Sequence, residues 1–142
     1  MAKVLIMIGS KSDMEYAEAC QEKLGEYGID NVIEISSAHR QPEKTDKLAS
    51  EAQKNGFEVI ITMAGMAAAL PGVVAARTKL PVIGVPLPAS LMGIDALLAI
   101  AQMPSGIPVA TMGIGKAGAK NAAVLAARIL GIKHSDIAEK LA

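Results

Sequence analysis

Tryptophan is absent, and Phe57, Tyr16 and Tyr27 are the only aromatic side chains among 142 residues. So few flat faces leave little for bases to stack on. Fourteen Lys and Arg balance fourteen Asp and Glu, so no excess charge draws the chain to phosphate backbones or an anionic membrane surface. Neither nucleic acid nor a membrane is an expected partner. Cysteine is nearly missing too. Cys20 alone cannot close an intramolecular disulfide, and no basic segment followed by an apolar one opens the chain, so a reducing cytoplasm is the expected address. Cys20 falls in a helical row with Met14, Ala17, Leu24 and Tyr27, which reads as a small core residue rather than a nucleophile. With two histidines, no H-E-x-x-H and no paired-cysteine spacing, no metal site and no cofactor are expected.

What is present is apolar. Hydrophobic residues make up 51% of the chain, and between Leu80 and Gly115 the only charge is Asp95. A chain of this size fits one domain, residues 1–142, and one so apolar is expected to bury surface against copies of itself. Residues 59–76 carry no charge and reach the length of a membrane span. Gly65 and Pro71-Gly72 interrupt them, so they read instead as a buried strand and a packed helix.

Short Val- and Ile-rich runs recur at 3–8, 31–35, 57–64, 80–85 and 107–112, as strands covered on both faces do. Helix punctuation separates them. Ser12 or Asp13 can cap a helix that Gly28 stops, with Glu15, Glu18, Glu22 and Glu26 on its wet face. Pro42 suits a first helical turn, Glu43 and Lys47 are spaced i,i+4, and Gly56 can close that helix. The alternation predicts an α/β fold, a parallel sheet with helices on both faces, whose ligands lie beyond the carboxyl ends of the strands.

The loops after the strands therefore hold the candidates. In "GSKSD" (9–13) the hydroxyls and the free N–H groups of the next helix could hold an anion, although capping alone explains Ser12 and Asp13. In "SSAHRQP" (36–42), His39 can exchange a proton near neutral pH and Arg40 can grip a phosphate. A surface pair opening a helix explains them equally well. The small residues of "AGMAAALPG" (64–72) fit close approach of a ligand, or of helix to strand. "GIGKAG" (113–118) matches G-x-G-x-x-G, but no strand ending in an acidic residue follows it, so it does not predict a dinucleotide site. His134, beside Ser135 and Asp136, reads as a solvated helix start.

Taken together, "GSKSD", "SSAHRQPEK", "AGMAAALPGVVAA", "PVIGVP" and "QMPSGIPVATMGIGKAGAKNAA" resemble the 5-(carboxyamino)imidazole ribonucleotide mutase family of purine biosynthesis, in register from about Val4 to Leu130. The resemblance implies a flavodoxin-like, three-layer doubly wound sheet, a homo-octamer with active sites at subunit contacts, a small-molecule ribonucleotide substrate and no metal or cofactor. Family members move a carboxyl group from the exocyclic nitrogen to ring carbon 4 by releasing and recapturing CO2. By the same resemblance His39 is the general acid and base, and Arg40, Ser12 and Ser37 contact the phosphate. Asp13 binds the ribose hydroxyls, while Ser10, Ala38 and the backbone at Ala64 and Gly65 confine the CO2. Ala69 and Leu70 complete the substrate-contacting set. Ala69 stands where the family usually has a second histidine, and Met66 where glycine is common. Members often continue into a longer terminal helix that helps assembly. Arg40, where a directly CO2-dependent carboxylase branch typically has lysine, points to the mutase branch. That carboxylase and a ribonucleotide-binding paralogue without turnover are the alternatives.

Overall fold

In a computed structural model that describes residues 2–142, the five apolar runs form one parallel sheet. Its strands are β1 (Lys3–Ile8), β2 (Asp30–Ile35), β3 (Val59–Gly65), β4 (Val82–Leu87) and β5 (Ala110–Thr111), in the order β2-β1-β3-β4-β5. Successive side chains of a strand point to opposite faces. Val4, Ile6 and Ile8 accordingly join one core with Val59, Ile61 and Met63, while Leu5, Met7 and Ile60 join the other. Each of these buried side chains contributes about 1.5–3 kcal/mol by leaving water. Burial on both faces is why the strands read as unbroken apolar runs rather than as alternating ones.

Helices supply the two outer layers. Helix α1 (Met14–Glu26), α5 (Lys116–Gly131) and α6 (Ser135–Lys140) cover the first face through Ala17, Cys20, Leu24, Ala123, Ala127 and Ile137. Helix α2 (Pro42–Glu51), α3 (Leu70–Ala75) and α4 (Ile94–Ala101) cover the second through Ala49, Leu70, Val74, Ala96 and Ile100. The expected α/β fold with three layers is the one observed. Residues 59–76 are β3 and α3, and among the described residues no helix is long and apolar enough to cross a membrane.

Local details differ from expectation. A 3-10 turn at Lys11–Asp13 precedes α1, and Ser10 caps it by accepting from the Ser12 N–H at 3.3 Å. Asp13, at the N-cap of α1, makes no capping bond with its side chain. Gly28, with φ +69°, ends the turn after α1, as expected of a residue that tolerates left-handed backbone. Helix α2 stops at Glu51, and a run of turns carries the chain to Gly56. The fifth strand shrinks to two residues at the sheet edge, where Pro108 has no N–H to donate.

His134 is half-buried rather than freely solvated. It opens α6, as expected, but its Nε2 lies 2.9 Å from Glu58 Oε1, and Lys133 reaches the other carboxylate oxygen at 3.2 Å. Burial alone would raise the Glu58 carboxyl. Hydrogen bonds from His134 and then Lys133 outweigh it and hold the group below its ordinary value.

Candidate active site

Strand order reverses between β1 and β3, which opens a crevice beyond their carboxyl ends. A cavity of about 800 Å³ lies there, walled by the loops that follow β1, β2, β3 and β4. The β1 loop contributes Ser10, Ser12 and Asp13, the β2 loop Ser37, Ala38, His39 and Arg40, and the β3 segment Ala64, Gly65, Ala69 and Leu70. Residues far apart in the chain thus share one wall because parallel strands end on the same side.

Each loop has its own scaffolding. The Ser10 and Ser12 hydroxyls lie 3.0 Å apart, and the Asp13 N–H donates to the Ser10 carbonyl at 3.0 Å. Burial raises the Asp13 carboxyl above its ordinary value, and a backbone hydrogen bond from Ser10 only partly offsets that. In the β2 loop, the Arg40 N–H donates to Ser37 Oγ at 3.1 Å and the Gln41 N–H to the Ser37 carbonyl at 2.8 Å. The turn holds His39 and Arg40 at the surface, where both are exposed and line the cavity.

The β3 loop is strained. Met66 and Ala68 take φ of +53° and +44°, in the left-handed region that disfavours a side chain. That conformation is the physical reason glycine suits position 66. Ala69 follows at the N-cap of α3, partly buried and without a side-chain hydrogen bond. A methyl group cannot supply the polar contact a histidine would make there.

The remaining sequence features lie elsewhere. "GIGKAG" does not line the cavity, and α5 leads into α6 rather than into a strand. Its last glycine is structural: a Cβ on Gly118 would stand 1.7 Å from the Gly113 carbonyl oxygen. Cys20 is fully buried, and burial pushes its thiol up to about 12, which leaves it protonated at neutral pH. Among the described residues, no three His, Cys, Asp or Glu side chains gather as metal ligands would. Sequence reasoning missed Leu87, Pro88 and Ala89, which complete the wall after β4. The rule that singled out the other loops covers them, but their apolar side chains carried no chemical signal.

A family model described as AIR carboxylase matches residues 3–142. The chain belongs to the AIR carboxylase family. Its relatives include a Saccharolobus solfataricus protein named N5-carboxyaminoimidazole ribonucleotide mutase, 56% identical over 142 residues, 99% of this chain and 89% of that protein. An Escherichia coli K12 protein of the same name is 48% identical over 141 residues, 99% of this chain and 83% of that one. Among solved structures, Treponema denticola PurE superposes with a TM-score of 0.90 at 36% identity, covering 99% of this chain and 87% of that chain. The flavodoxin-like arrangement expected of an AIR carboxylase relative is therefore the observed one. A 3-dehydroquinate dehydratase-like protein from Bifidobacterium longum shares the fold alone, at 15% identity and a TM-score of 0.61.

Proposed function

We propose that this chain, as one domain over residues 1–142, is a 5-(carboxyamino)imidazole ribonucleotide mutase of purine biosynthesis. The observation that carries the reading is the shared wall of the cavity, where His39 and Arg40 meet the β1 hydroxyls and the small residues of the β3 loop. The name carried by relatives 56% and 48% identical supports it.

In this reading Arg40, Ser12 and Ser37 hold the 5′-phosphate, with a guanidinium fork and hydroxyl donors suited to its oxygens. Asp13 accepts hydrogen bonds from the ribose hydroxyls. As the carboxyl group leaves the exocyclic nitrogen as CO2, His39 delivers a proton to that nitrogen. Ring carbon 4 then attacks the CO2, and His39 takes the proton from carbon 4. The proton given is the proton recovered, so the isomerisation needs no external acid or base. One group serving both directions calls for a pKa near ambient pH, which imidazole has. Ser10, Ala38 and the backbone at Ala64 and Gly65 keep the CO2 against the ring, where retention turns recapture into a unimolecular step. Leu70 closes the apolar side.

The test is conversion of 5-(carboxyamino)imidazole ribonucleotide to its 4-carboxy isomer without ATP, with and without bicarbonate. Turnover independent of bicarbonate is expected, and a strict bicarbonate requirement would move the chain to the direct carboxylases. For His39→Asn, ribonucleotide binding should persist while turnover falls by about 10²-fold or more. Retained turnover would remove His39 from the mechanism. A second reading, ribonucleotide binding without turnover, draws on the unbonded methyl of Ala69. It predicts a silent wild type, with Ala69→His restoring activity if that alanine is the lesion.

A further inference from the structure

We propose that the buried Ser36–Thr45 hydroxyl pair is a positioning latch that fixes the turn carrying His39 and Arg40 against helix α2. Its value for catalysis rests on the mutase reading above; its effect on the turn does not. Ser36, Thr45 and Thr62 are the buried polar residues among the described ones, and Ser36 and Thr45 are both 0% exposed. A buried hydroxyl without a partner is costly, whereas these two satisfy each other at 2.6 Å. The bond also ties together two elements that are separately anchored. Ser36 donates its N–H to the Ile8 carbonyl at 2.8 Å, which sets it at the end of β1, and Thr45 sits within the first turns of α2.

The latch closes a ring around residues 37–44, with His39 and Arg40 in the middle. Beside the latch the Thr45 N–H donates to the Gln41 carbonyl at 3.0 Å, and Lys44 Nζ reaches back across it to the Ile35 carbonyl at 2.5 Å. His39 itself is exposed, so its imidazole takes its place from the backbone beneath it rather than from packing. A hydroxyl–hydroxyl bond has a direction that apolar contact lacks, and it therefore sets where α2 begins relative to β2. Ser36 and Thr45 are positioning residues, since neither lines the cavity.

The chain's two histidines make the test direct, because His134 lies on Glu58 at the start of β3, away from the cavity, and serves as an internal reference. Ring proton signals of both histidines are recorded for wild type, Thr45→Val, Thr45→Ser and Ser36→Ala, together with kcat and KM. Thr45→Val and Ser36→Ala are expected to shift or broaden the His39 signals, leave those of His134 in place, and lower kcat about tenfold with a smaller change in KM. Thr45→Ser, which keeps the hydroxyl, should behave as wild type. Unchanged His39 signals in both hydroxyl-deleting variants would overturn the proposal, as would equal disturbance of both histidines, which marks general loosening. Should Thr45→Val fail to fold, Ser36→Ala removes one oxygen only and decides alone. A wild type without turnover would sink the mutase reading, while the His39 signals would still judge the latch.

Discussion

Asp13 carries an electrostatic cost, which the proposed contact with the ribose hydroxyls would account for. Its carboxyl is raised by burial, so the folded state holds a proton there more tightly than the unfolded chain does. The sign follows: ionised Asp13 destabilises the fold above its folded-state value, and the cost disappears once both states are protonated. Asp13→Asn should therefore melt higher than wild type at pH 7, lose that advantage below about pH 3.8, the group's ordinary value, and bind ribonucleotide more weakly. Calorimetric scans at the two pH values, paired with a binding titration, check all three. A gain in stability with a loss of binding is the trade-off expected where an active site keeps a desolvated charge.

At the level of elements, close approaches decide more than propensity does. Alanine normally favours a helix over glycine by about 1 kcal/mol, yet Gly118→Ala in α5 would drive a methyl into the Gly113 carbonyl. The clash should win, with a net loss of about 3 kcal/mol or more seen as a lower urea midpoint at unchanged slope. Helix α6 depends on a different contact, the Glu58 carboxylate shared by His134 and Lys133. Because the folded state lowers the Glu58 value, its contribution is present above the ordinary 4.5 and is lost as pH falls through the folded value. Glu58→Gln should thus melt below wild type at pH 6, and the gap should close steadily below pH 4.5. A gap that widened toward acid would mean that the carboxylate is unfavourable in the fold.

For the whole molecule, Leu91, Met92, Ile94 and Leu98 are 61%, 72%, 52% and 52% exposed, on α4 and the turn before it. A face this apolar is where the self-association expected from the sequence would bury surface. Ile94→Asp with Leu98→Asp should yield a smaller species by light scattering while keeping the helical spectrum. Much of the architecture was legible beforehand: the five strands, the helices between them and the loops at their carboxyl ends follow from apolar runs and punctuation. Those are local patterns, set by how each segment buries its own face. The shortened β5 and the His134–Glu58 bond were not legible, because each depends on a partner or an edge that chain neighbours do not announce. The same division governs the site. Sequence by itself determined which residue types stand at the ends of which strands, because loop composition is written locally. Only the tertiary structure decided that Ser10, His39, Gly65 and Ala89 border one cavity and that Ser36 faces Thr45, because strand order and helix packing bring together what the chain keeps apart.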